Sequence, residues 1–264
     1  MLDKCRRDRD TENVLPTPTE RAVRRICRRL RLASVALCMT AIVTVAGCGP
    51  SADNQIDIGA NNPEIGLAFG DSISHGRDSL VVRSINDAGP DEPGYRRRLE
   101  ELFAGQGRVV HMYEDGEPAT SSRQGLARID RAIAVGPAFM VILYGTNDAN
   151  QWRPASEIIG NLRAMVQRCR AQKIIVVLCT IPPVCGRSFE QTKIAEYNPL
   201  IRDLALELGG PYQGVFLADL SQAFFDRSPD VCLLLNPDNG IHPTRAGYEL
   251  IAETVFQQLW NVRW

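Results

Sequence analysis

A chain of 264 residues, 44% hydrophobic and 23% charged, is long enough for one substantial core and has the composition of a folded globular protein rather than a disordered one. The formal net charge of -1 hides an asymmetry: residues 1–47 hold ten Lys/Arg and five Asp/Glu, which leaves 20 against 26 elsewhere, a net of -6. An acidic body argues against nucleic acid or anionic lipid headgroups as the main partner.

The basic excess lies at the start of the chain. "RAVRRICRRLRL" runs into the uncharged apolar stretch "ASVALCMTAIVTVAGC", the order of an export signal. Its end, Val45-Ala46-Gly47-Cys48, resembles the bacterial lipobox, in which the cysteine is lipid-modified and becomes the new N-terminus. Residues 1–47 are thus read as a lipoprotein signal peptide and Cys48 as the lipid-attachment residue. The same run, Leu30 to Gly47, also has the length of an uncleaved anchor helix, and simple secretion is the third reading. All three place the body outside the cytoplasm. Gly49 stands where inner-membrane retention signals carry aspartate, which by that resemblance favours an outer-membrane, periplasm-facing location. The stretch "GPSADNQIDIGANNPE" has too little apolar content to pack and reads as a flexible tether over 48–63, followed by one domain over 64–264.

Within that domain, short apolar runs alternate with amphipathic segments. The expected strands are 65–69 ("IGLAF"), 108–112 ("RVVHM"), 139–143 ("FMVIL"), 174–179 ("IIVVLC") and 215–220 ("VFLADL"), nearly continuous in apolar residues as strands covered on both faces are. Helical patterns fall between them in "YRRRLEELFA", "SRQGLARIDRAIA", "SEIIGNLRAMVQRCRAQ" and "KIAEYNPLIRDLALEL", and a last helix, "TRAGYELIAETVFQQLW", follows the final strand. Right-handed crossovers then give an α/β fold in three α/β/α layers: a flavodoxin-like, five-stranded parallel sheet of order 2-1-3-4-5. Functional groups in such folds collect at the carboxyl ends of the strands.

Three chemistry-bearing residues lie there. Gly70-Asp71-Ser72 follows the first strand, "YGTND" with Asn147 follows the third, and "NGIHPT" with His242 precedes the last helix. A hydroxyl, an amide and an imidazole are the parts for acyl transfer: nucleophile, oxyanion donor and base. "GDS", "GTND" and "HPT", in this order and spacing from about Ile65 to Trp260, resemble the SGNH/GDSL hydrolase family. That resemblance implies a three-layer α/β/α fold and ester hydrolysis through an acyl-serine. Ser72 would be the nucleophile and lend its backbone N–H to the oxyanion hole, Asn147 would donate its side-chain amide, and His242 would be the general base. His75 and His111 read as structural, with His75 near enough to Ser72 to touch substrate. No cofactor or metal is implied, since there is no phosphate-cradling glycine loop, no CxxC pair, and only three histidines.

Two positions depart from the family pattern. Its second block, N-x-G-x-x-G, corresponds here to Glu114-Asp115-Gly116-Glu117-Pro118-Ala119. Ala119 stands where the last glycine would offer an oxyanion N–H; either it donates from a strained left-handed backbone or the loop shifts and Gly116 donates. The second departure is Asn239, which occupies the place of the aspartate that orients the histidine, with Asp238 immediately before it. Asp238 supplying the carboxylate through a shifted turn, a backbone carbonyl orienting His242, and an impaired, binding-only site are the three readings left open.

Four cysteines fall in the domain: Cys169, Cys179, Cys185 and Cys232. Export makes disulfides the expectation, and the short "TIPPV" between Cys179 and Cys185 points to a local bridge, with four buried free thiols as the alternative. Substrate selectivity should come from "SHGRDSLVVRSINDAGPDEPGY", from "ANQWRP" with Trp152 and Arg153, and from "RSPDVCLLLNPDNG". In the last, Leu233 to Leu235 either wall an acyl slot or pin the loop to the body. The expected partners are a small-molecule, glycan or lipid acyl ester and, through the anchor, a membrane. An acyltransferase passing the same acyl-serine to a sugar hydroxyl, and a non-catalytic envelope lipoprotein, are the competing functions.

Overall fold

The computed structural model describes residues 55–77 and 94–264. Residues 1–47, read above as a signal peptide, Cys48 and residues 78–93 lie outside the described residues. Of the stretch 48–63 read as a tether, residues 56–58 are engaged with the domain. Ile56 donates its N–H to the Arg263 carbonyl at 2.8 Å, Ile58 joins the core, and Asp57 pairs with Lys173 at 2.5 Å.

In chain order the elements are β1 (Asn62–Gly70), α1 (Ser72–His75), α2 (Arg96–Ala104), β2 (His111–Gly116), α3 (Ser122–Ile133), β3 (Pro137–Leu143), α4 (Thr146–Asn150), α5 (Ala155–Ala171), β4 (Ile175–Cys179), α6 (Ser188–Glu207), β5 (Val215–Ala218), α7 (Leu220–Arg227) and α8 (Arg245–Leu259). The five strands form one parallel sheet in the order β2-β1-β3-β4-β5, as the alternating pattern implies. Every residue of β3 and β4 is buried, which is why both read as unbroken apolar runs.

The period-2 alternation of strand side chains divides the core between the two faces of the sheet. On one face, Ala68, Val141 and Val177 pack with Leu99 and Phe103 of α2 and Tyr248, Ile251 and Val255 of α8. On the other, Leu67, Phe69, Met140 and Val176 pack with Ile129 of α3, Leu162 and Met165 of α5 and Ile201 of α6.

Two elements differ from the sequence reading. The second strand begins at His111, not 108, with Ile65 opposite His111 and Gly70 opposite Gly116. It lies at the sheet edge, so its own residues are mixed in polarity, and the apolar run that suggested a strand is mostly the approach to it; Val109 is exposed. The fifth strand stops at Ala218 because Asp219 caps a further helix, α7, accepting the Gln222 N–H at 3.1 Å.

The cysteine pairing also differs. The disulfide joins Cys185 to Cys232, 47 residues apart, and Cys179 is a buried free thiol at the end of β4, as is Cys169 in α5. Burial pushes the Cys169 thiol up to about 12, so it is not a reactive group at neutral pH.

Candidate active site

Ser72 stands two residues beyond the end of β1, where the strand must turn sharply into α1. Asp71 makes that turn: its Oδ1 accepts the Ile73 N–H at 2.9 Å and caps the helix. The carbonyl of Gly70 is held by Arg128 at 2.6 Å and by the Glu117 N–H at 3.0 Å, which fixes the residue before the turn. Arg128 itself pairs with Asp115 and lies over the Phe69 ring, 4.5 Å from its centroid. Gly116, at the end of β2, packs against the same turn. A Cβ there would lie 2.2 Å from the His75 nitrogen and 2.7 Å from the Asp71 carbonyl oxygen, so only glycine lets the two segments meet.

At this edge the Ser72 hydroxyl and the His242 ring are in contact, Oγ to Nε2 at 3.0 Å, across 170 residues of sequence. Ser72 is buried, with 8% of its surface exposed. His242 follows the turn 236–240 and precedes Thr244, whose hydroxyl caps α8.

The oxyanion candidates lie on the segments beside Ser72. Ser72 is the first residue of α1, so its N–H has no acceptor within the helix. Asn147, at the start of α4, donates from Nδ2 to Asp71 Oδ2 at 3.2 Å and to the Thr120 carbonyl at 2.9 Å. Its amide thus lies beside the residue before Ser72 and the residue after Ala119. Ala119 is exposed and sits at φ +64°, the left-handed conformation its place in the glycine pattern demanded. Among the described residues its N–H makes no hydrogen bond. The Gly116 N–H is taken by Glu114 Oε1 at 2.7 Å, which removes Gly116 as a donor in favour of Ala119.

A side chain in the left-handed region is strained, so replacing it by glycine relieves the strain even after the greater entropy of an unfolded glycine. Ala119→Gly is expected to stabilise the protein by about 1 kcal/mol, read as a rise in the urea midpoint with unchanged slope. No rise would mean that the loop holds another conformation.

Two buried acids support the site. Burial pushes the Asp71 carboxyl up to about 7, and the neighbouring Asp148 carboxylate adds to the shift. Asp148 is raised for the same reason and accepts both the Ser122 N–H at 2.8 Å and its hydroxyl at 2.6 Å, tying α4 to the first turn of α3. Neither acid was singled out from the sequence. Their signal was position: each sits beside a helix start, within "GDS" and "GTND".

Around the histidine, Asp238 is one of the three readings offered for orienting His242. It is exposed in the turn, its N–H donates to Asn236 Oδ1 at 2.9 Å, and among the described residues its carboxylate has no hydrogen-bond partner. Asn239 faces inward instead: its Oδ1 accepts the N–H groups of Ile241 and His242, both at 2.9 Å. Of the apolar run beside them, Leu234 and Leu235 are buried in the core and pin the loop, while Leu233 is exposed and borders a cleft beside the turn. His75 contacts Glu114 at 3.2 Å, and His111 is exposed on β2.

A serine hydroxyl against an imidazole, at the carboxyl edge of a five-stranded parallel α/β/α sheet, defines the chain as an ester hydrolase. It belongs to the GDSL-like lipase/acylhydrolase family, whose model matches residues 68–250. Among solved structures it is similar to the lipase/acylhydrolase from Enterococcus faecalis: 25% identity over 75% of this chain and 95% of that one, TM-score 0.61. An acetylxylan esterase from Geobacillus stearothermophilus shares the fold, with 19% identity over 75% of this chain and 94% of that one, TM-score 0.60. No curated protein matched the sequence.

Proposed function

We propose that this protein is a serine esterase of the cell envelope that removes short acyl groups from polar, glycan-like alcohols through an acyl-Ser72 intermediate. The observation that carries the chemistry is the 3.0 Å contact between Ser72 Oγ and His242 Nε2. The hydroxyl oxygen attacks the ester carbonyl while Nε2 takes its proton. The carbonyl oxygen, now negative, receives the N–H groups of Ser72 and Ala119 and one N–H of Asn147, which exchanges its longer contact, to Asp71, for the substrate. As the tetrahedral adduct collapses, His242 returns the proton to the leaving alcohol, and water then repeats the sequence on the acyl-serine.

The substrate reading rests on the surroundings. A cleft of about 810 Å³ lies beside the histidine turn, bordered by the charged Arg187, Glu190, Asp230 and Asp238 and by Leu233, with Phe189 as its exposed aromatic. Trp152, just past the Asn147 helix and also exposed, meets Phe189 edge to face at 5.9 Å. Four charged side chains beside exposed aromatic rings suit a sugar better than a long alkyl chain, and the acetylxylan esterase likeness points the same way. The envelope assignment rests on the leader and on Cys48.

A series of p-nitrophenyl esters beside acetylated xylooligosaccharides tests the substrate class. The expected result is a kcat/KM highest for acetate and falling by about tenfold or more at octanoate, the cost of placing a long chain on polar walls. A maximum at the long esters contradicts it. Cys48→Ala is expected to move the activity from the membrane fraction to the soluble one.

A further inference from the structure

The turn that carries His242 is fastened from outside, by the segment that leaves β4. Asn239, whose side chain holds the N–H groups of Ile241 and His242, has its own carbonyl gripped by Arg187, with Nε donating at 2.9 Å. The same guanidinium binds Glu190 through Nη1 at 2.6 Å, so it is held in place at both ends. One residue further on, the Gly240 carbonyl accepts the Cys185 N–H at 2.7 Å. Gly240 has φ +66°, and a Cβ there would come within 2.1 Å of the Cys185 carbonyl oxygen, so the two backbones are in direct contact. The Cys185–Cys232 disulfide then joins this segment to the start of the histidine loop.

From this arrangement we infer that Arg187 is a positioning residue for His242, acting through the Asn239 peptide. The inference rests on the reading of His242 as the general base. Asn239 occupies the place of the family's orienting carboxylate, and its side chain is engaged in shaping the turn. The placement of that turn sets where the His242 backbone carries the imidazole, and Arg187 clamps the turn's backbone from the segment that follows β4. A planar guanidinium can donate to a carbonyl along one edge and to a carboxylate along another; a lysine ammonium on its flexible stem lacks that fork. Small displacements of a catalytic group are costly even when the altered residue never touches substrate.

The test is steady-state hydrolysis of p-nitrophenyl acetate by the full chain carrying Arg187→Ala, Arg187→Lys or His242→Ala, with active sites counted by fluorophosphonate titration. Per active site, Arg187→Ala is expected to lower kcat on this small ester by about tenfold while KM stays within about twofold, because p-nitrophenyl acetate, unlike a glycan, does not need the cleft that Arg187 borders. Millimolar guanidinium ion is expected to restore part of that loss in Arg187→Ala, and Arg187→Lys to fall between the two. A residue serving folding alone would lower the number of active sites and leave the per-site kcat unchanged; that result overturns the inference. Should Arg187→Ala not fold, Arg187→Lys decides by the same criterion. An inactive His242→Ala beside an unimpaired Arg187→Ala overturns this inference alone, whereas full activity in His242→Ala overturns the general-base reading and the inference together.

Discussion

Ser72→Ala is expected to lower turnover of an acetyl ester by at least about 10⁴-fold with little change in thermal stability. The size follows from the reaction, not from packing. Without Oγ there is no acyl-enzyme, and His242 can at best activate a water that nothing places correctly. Stability is spared because, among the described residues, the Ser72 side chain makes one hydrogen bond, to His242. The cap that shapes the turn belongs to Asp71, and the core contact of α1 to Ile73. Steady-state kinetics beside a thermal melt separates the two effects. A variant retaining a tenth of the activity would place the nucleophile elsewhere.

The second large effect is expected at Asn147. Its amide lies between the Asp71 carboxyl and the Thr120 carbonyl, the neighbours of the two backbone donors. Removing one oxyanion donor from a preorganised site costs about 10²–10³-fold in kcat, and Asn147→Ala should fall in that range with KM almost unmoved. The loss concerns a charge that exists only in the transition state, so equal losses in kcat and kcat/KM are the signature. A rise in KM with kcat preserved would make Asn147 a ground-state contact instead.

Much of this was legible before the fold was known, for definable reasons. The three central strands are covered on both faces, so their apolar runs survive in the sequence almost without interruption, and alternation with helices fixes the parallel order. Ser72, Asn147 and His242 were legible because each lies at a strand or helix boundary where a polar residue interrupts an apolar pattern. Ala119 was legible only against the family's glycine pattern, and its positive φ shows why glycine is usual there.

Other features carry no local signal. The edge strand β2 was displaced because one side of it faces solvent and its hydrophobicity lies upstream. Helix α7 was absorbed into the end of β5, since Asp219 breaks that run with a cap whose meaning depends on its partners Thr180 and Arg202. The Cys185–Cys232 bridge joins segments that only the crossover topology brings together, and the short "TIPPV" spacing pointed to the wrong cysteine. Arg187 was invisible for a related reason: its acceptor is a backbone carbonyl 52 residues away, and every residue has one of those.

The contact between Ser72 and His242 is the centre of the account, and fluorophosphonate labelling read by peptide mass spectrometry tests it most directly. The expected result is a single adduct on the peptide containing Ser72, formed rapidly by the wild-type chain and at least about 10²-fold more slowly by His242→Ala. Absence of labelling in a folded protein, or labelling at Ser72 that is indifferent to His242, would contradict it.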